Sequence, residues 1–115
     1  MAEVRLRRIE SLLREEICSM IFTGEIKDPR IERLTTVTEV NVSRDLGHAK
    51  VWVSRFGDQD AVADSIVALN HAAGFIQLVL SKRISLRSFP KLTFLRDNSM
   101  ENGFRIVKKL RDVMH

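Results

Sequence analysis

With one cysteine, Cys18, in 115 residues, the chain has no internal disulfide partner, which fits a reducing compartment. No apolar run approaches the roughly 20 residues that a membrane-spanning helix needs. The first basic residues are followed by no continuous apolar stretch, so the N-terminus does not read as a secretory signal, and Glu3 and Glu10 argue against an organelle-targeting segment. His48, His71 and His115 are scattered, and no spacing resembles a zinc site. Gly24, Gly47, Gly57, Gly74 and Gly103 are isolated, so no phosphate-cradling loop is present. Ser11, Ser43 and Ser54 lie in no recognisable nucleophile setting, and Asp45 is better explained by a turn than by acid–base chemistry. Together these absences weigh against an enzyme, and no cofactor or metal is expected.

What is present fits one globular unit, expected to span residues 1–115. A hydrophobic content of 44% is enough to build a core at this length without a disulfide or metal. The net charge is +4, and its distribution is uneven. Residues 1–40 carry seven Lys/Arg against eight Asp/Glu, whereas residues 82–112 carry nine against three. A concentrated basic region is the electrostatic footprint of a protein that meets phosphate backbone.

Leu6, Ile9, Leu13, Ile17 and Met20 recur at three- and four-residue steps and predict a helix over 4–22, with Arg7, Arg14 and Glu15 off the stripe. Thr23-Gly24 ends it, and Lys27-Asp28-Pro29-Arg30 forms a turn. The β-branched stretch 35–43 predicts a strand with Thr38, Val40 and Val42 on one face and Glu39 and Asn41 on the other. Arg44-Asp45-Leu46-Gly47 connects it to a second strand over 48–56. There Ala49, Val51 and Val53 oppose Lys50, Trp52 and Ser54, so the sheet has one covered and one wetter face. Residues 58–80 read as helix interrupted near Gly74. Ala61, Val62, Ser65, Ile66 and Leu69 form its first apolar face, and Phe75, Leu78 and Val79 the next. After Pro90, Leu92-Thr93-Phe94 predicts a third strand. Asn98 and Glu101 then open a terminal helix marked by Phe104, Val107 and Leu110, with Lys108, Lys109 and Arg111 suited to its C-terminal dipole. The order is α-β-β-α-kink-α-β-α, and helices of this number must cover one face of a three-stranded sheet.

That order resembles a type II KH-like domain of the α+β class. The residues resemble the ribosome-binding factor A family: Lys27-Asp28-Pro29-Arg30; Val40 through Leu46 with Ala49 through Ser54; Ala72-Ala73-Gly74-Phe75-Ile76; and Leu86-Arg87, Pro90, Leu92, Phe94, Asp97, Ser99, Gly103, Arg105 and Ile106. KH domains grip nucleic acid with a Gly-x-x-Gly loop. Here Ala72-x-Gly74 stands instead, matching the family's interrupted kink. The resemblance implies binding to 16S rRNA on the immature small (30S) subunit, in late maturation, pre-rRNA processing and growth in the cold, without catalysis. It implies a bacterial cytoplasm, with chloroplast or mitochondrial relatives as the lesser alternative, and release aided by a ribosome-associated GTPase; a monomer without membrane contact is expected. Gln77 stands where members often have Arg, and the chain ends at His115 without the longer charged tail of some members.

Three groups are candidates for RNA contact. Ala72 and Gly74 form an RNA-contacting kink or else a close helix packing that needs small residues. Lys82, Arg83 and Arg87 neutralise phosphates or else solvate a helix end. Arg5, Arg7 and Arg8 are a second basic group with the same two readings. Trp52, beside Lys50, can stack on a base, although cross-strand packing accounts for it more simply. A protein-interaction domain with an incidental basic surface is the competing function.

Overall fold

The computed structural model describes residues 2–32, 34–55 and 59–97. Helix α1 (Ala2–Thr23) buries Ile9, Leu13, Ile17, Met20 and Ile21 along one stripe. It ends where Gly24 takes φ 74°, as the helix-stop reading anticipates. The Gly24 N–H donates to Ile21 O at 3.2 Å and the Glu25 N–H to Met20 O at 3.0 Å. These two bonds satisfy carbonyls that the helix end would otherwise orphan. The Asp28-Pro29 turn then reverses the chain: Asp28 Oδ1 accepts from the Arg30 N–H at 2.9 Å, and Asp28 O accepts from the Ile31 N–H at 3.1 Å.

Strands β1 (Thr36–Val42), β2 (His48–Ser54) and β3 (Lys91–Arg96) form one sheet in the order β1-β2-β3. β1 and β2 are antiparallel and β2 and β3 parallel, so β2 is central. Rows of matched residues cross the sheet: Val40–Val51–Phe94 and Val42–Ala49–Leu92 are all buried. Each buried Val, Leu or Phe side chain in these rows contributes on the order of 1.5–3 kcal/mol, and the Ala49 methyl less. In the β1–β2 connection, Asp45 Oδ1 accepts from the Ser43 hydroxyl at 2.7 Å and the Gly47 N–H at 2.9 Å. Leu46 rather than Gly47 takes the left-handed conformation, at φ 59°.

Thr38 does not share the buried face of Val40 and Val42. The register shifts between Val37 and Glu39, leaving Thr38 as a bulge, so Val37 turns inward instead. The Thr38 hydroxyl donates to Asp97 Oδ2 at 2.5 Å. An inserted residue reverses strict alternation on its N-terminal side. Ser54 likewise departs from the expected wetter face and is buried.

Between β2 and β3 run α2 (Gln59–His71) and α3 (Ala73–Arg83), whose axes differ by 67°. The break is at Ala72, not at Gly74, which lies inside the first turn of α3. α3 buries Ile76 and Leu80, whereas Phe75 and Leu78 point to solvent. Five of the six residues 75–80 are apolar, so composition alone could not choose the buried side; the bend at Ala72 chooses it. Helix α1 packs against β1, α2 against β2 and β3, and α3 against β3. The α+β, KH-like reading with a helix-covered three-stranded sheet is the observed architecture. The expected terminal helix at 98–111 lies outside the described residues. Among the described residues no single helix is long and apolar enough to cross a membrane.

Candidate nucleic-acid interface

Two side chains fix the helices to the sheet margins. The Glu10 carboxylate accepts from the Val42 N–H at 2.8 Å. The Asn70 amide spans Phe94, accepting from its N–H at 2.8 Å and donating to its carbonyl at 3.0 Å. Ser65, fully buried, donates to Arg30 O at 2.9 Å and so ties α2 to the Asp28 turn. This last bond sets the turn beside the α2–α3 bend. Between them lies a groove of about 320 Å³, lined in part by Ile26, Lys27, His71, Ala72 and Phe75.

At the bend, Ala72 occupies the N-cap position of α3 and has no side chain to cap the helix start. The first turn of α3 itself holds no acidic residue to offset the positive end of its dipole, and the Asp28 carboxylate across the groove is paired with Arg30. Ala72 is half-buried against the core. Gly74 is exposed, and a Cβ built there meets nothing within 4 Å. Ala72 thus packs against the core and also lines the groove, whereas close packing does not explain the small residue at Gly74.

The arginines divide by their partners. Arg83 reaches Glu25 Oε1 at 2.6 Å and Glu16 Oε2 at 3.5 Å, joining the end of α3 to α1 and the turn after it. The Glu25 hydrogen bond raises the Arg83 pKa, while Arg83 lowers that of Glu25. Arg30 pairs with Asp28 at 2.8 Å. Its side-chain and backbone hydrogen bonds hold the Asp28 carboxyl down at about 2, with a smaller contribution from the nearby His71 charge. Arg55 lies 3.9 Å from Glu32. By contrast Arg5, Arg7, Arg8, Lys82 and Arg87 are exposed, and among the described residues none of them forms an ion pair.

The predicted basic residues do not form one patch. Arg5, Arg7 and Arg8 occupy the start of α1, before the Glu10–Val42 contact. Lys82 adjoins Arg83, which is held at the other end of α1 by Glu16 and Glu25. At about 1.5 Å of rise per residue, Glu16 lies about 12–17 Å along the helix from Arg5, Arg7 and Arg8, and Glu25 lies beyond the helix end, so the two groups are separate. Trp52 is half-buried on the open sheet face, flanked across the strands by Glu39 and Leu95, as the packing reading has it.

One basic cluster escapes a sequence reading. His48 pairs with Lys91, Lys50 lies one row further along the same face, and Arg44 sits in the adjoining loop. All four are exposed, and the only carboxylate in that loop, Asp45, is engaged by Ser43 and Gly47. Lys50 and Lys91 become neighbours only because β3 runs parallel to β2, which no local pattern announces. Among the described residues no group of three His, Cys, Asp or Glu side chains could hold a metal ion.

The family model described as ribosome-binding factor A matches residues 5–110. The chain is 42% identical to "Ribosome-binding factor A" of Treponema denticola over 113 residues, covering 98% of this chain and 86% of the relative. It is 45% identical to that of Desulfitobacterium hafniense over 113 residues, covering 98% and 89%. Among solved structures it is similar to the crystal structure of ribosome-binding factor A from Thermus thermophilus, with a TM-score of 0.66 and 28% identity, covering 79% of this chain and 94% of that one. A Thermus thermophilus ribosome binding factor A homology model, fitted into the cryo-EM map of a 30S complex, matches with a TM-score of 0.63 and 27% identity, covering 79% and 93%.

Proposed function

The chain belongs to the ribosome-binding factor A family, and from that premise we propose that it binds the immature small ribosomal subunit by adhering to the phosphate backbone of 16S rRNA. The observation that carries this reading is the division of cations: Lys82 and Arg87 are exposed without a carboxylate partner among the described residues, whereas Arg83 beside them is committed to Glu16 and Glu25. Lys82 and Arg87 are assigned to phosphate, and Arg83 to bracing the end of α3, which carries Lys82 and leads into the segment that carries Arg87. Arg5, Arg7 and Arg8 form a second contact at the far end of α1. The hairpin-end cations Arg44, Lys50 and Lys91, with His48 among them, add a third. Ala72 shapes the bend, and Gly74 leaves room for RNA backbone at its surface. Phosphate contacts position such a protein without reading sequence, so its specificity comes from RNA shape.

In this reading the chain acts as a monomer of one domain in the cytoplasm, promotes late maturation and pre-rRNA processing without chemistry of its own, and leaves with the help of a GTPase. Affinity for purified small subunits should fall by about 0.7–0.9 log units per log unit of salt for each phosphate neutralised. The double variant Lys82→Glu, Arg87→Glu should bind more weakly and with a shallower salt slope, at unchanged melting temperature. An affinity indifferent to salt would sink the electrostatic mechanism.

A further inference from the structure

We propose that the groove between the Lys27–Arg30 turn and the α2–α3 bend holds one unstacked RNA base, with Phe75 as its stacking face and Lys27 as the partner of the adjoining phosphate. The proposal rests on the RNA-binding reading above and deepens it. Phe75 is 49% exposed, although the sequence pattern would place it in the core. Its position is not needed to bury apolar surface, because Ile76 and Leu80 already fill that role in α3. It lies on the wall of a groove of about 320 Å³ whose apolar surface includes Ile26 and Ala72. That volume is at the low end of small-ligand pockets and admits a flat ring system rather than a helix.

The rim selects the ligand's charge. Lys27 and Arg30 line the groove with His71, against one lining carboxylate, Asp28; Asp64 also acts on Arg30. Asp28 is already spent on Arg30 through the 2.8 Å ion pair and the Arg30 N–H. Lys27 is exposed and, among the described residues, in no ion pair. An aromatic face beside an uncommitted ammonium group fits a base and its phosphate, since stacking needs only a π-surface and the cation meets the backbone. An apolar peptide would leave that ammonium group without a partner, which favours RNA as the occupant.

The test compares Phe75→Ala, Phe75→Trp and Lys27→Gln with wild type in binding to purified immature small subunits, together with chemical probing of unpaired rRNA bases. Phe75→Ala should weaken binding about 5- to 100-fold, the range of one lost base stack, with the salt slope unchanged. Phe75→Trp should bind as wild type does. Lys27→Gln should make the slope shallower by about 0.7–0.9, one phosphate. One base protected by wild type and by Phe75→Trp should become reactive with Phe75→Ala while the rest of the footprint stays. Equal binding by Phe75→Ala would overturn the proposal. So would weaker binding with no base exposed, which would assign the groove to a ribosomal protein. Failure of the wild-type chain to bind subunits or protect any rRNA would instead bring down the RNA-binding reading on which it rests.

Discussion

Replacing Gly74 with alanine should stabilise the protein while testing whether RNA approaches the α3 backbone. Gly74 lies in the first turn of α3, and among the described residues only Gly24 is a glycine with positive φ. A methyl group at position 74 meets nothing within 4 Å, so it introduces no clash in the free protein. Glycine in a helix interior costs about 1 kcal/mol relative to alanine, mostly through the freedom it regains on unfolding. The gain is smaller in a first turn, and about 0.5 kcal/mol is a reasonable expectation. For a domain of this size that corresponds to a rise in Tm of about 2–4 °C. Thermal and urea denaturation of the purified chain measure it directly. A fall in Tm would refute the reasoning, because it would mean that the position is crowded or strained. Subunit binding measured on the same variant separates the two roles of the kink. If RNA backbone passes over Gly74, affinity drops although stability rises; if the glycine has no ligand, both stay level or improve.

Asn70→Ala leaves the Phe94 N–H and carbonyl without their amide partner and should cost about 1–3 kcal/mol in urea denaturation; a loss below about 0.5 kcal/mol would show that water replaces the amide without penalty. Arg83→Glu sets a carboxylate against Glu16 and Glu25 and should lower Tm, whereas Lys82→Glu should leave it unchanged; equal Tm values would remove the bracing role. Arg30 holds the Asp28 carboxyl at about 2, below the ordinary 3.8, so its contribution to stability is complete above about pH 4 and disappears as pH falls through about 2. The stability difference between wild type and Asp28→Asn should therefore shrink over that interval in acid titrations followed by circular dichroism, and a difference that persists below pH 2 would assign it to something other than the carboxylate charge.

The elements were legible because their signals are local. The stripe Ile9–Leu13–Ile17–Met20 leaves one way to lay α1, and Ala49–Val51–Val53 one way to face β2. Gly24 declares its own helix stop. The failures are where two alternatives are locally equal. A bulge at Thr38 adds one residue to a strand whose β-branched content is the same in either register, so which residues turn inward is decided by pairing with β2 and by Asp97, 59 positions away. In α3 apolar side chains occupy almost the whole circumference, and the 67° bend at Ala72 picks the side that faces Leu69 and the sheet. The candidate interface was legible in charge and not in geometry. Counting found the basic segment that contains Lys82, Arg83 and Arg87; only contacts with Glu16 and Glu25 reveal that Arg83 is already occupied. The groove at Phe75 gives no sequence signal, because its walls come from the 26–30 turn and the 71–75 bend.

The Glu10 and Asn70 contacts have a bearing on the company the protein keeps. Outermost strands offer unpaired amide groups that another polypeptide can extend, which is how ribbons lengthen and fibrils are seeded. Here one margin is stoppered by a carboxylate at Val42 and contorted at Thr38, and the opposite margin is plugged at Phe94 by a side-chain amide that mimics a neighbouring strand. Among the described residues the sheet has three strands, and at these points an encounter with a nascent chain or a second copy has to proceed through side chains rather than by strand addition.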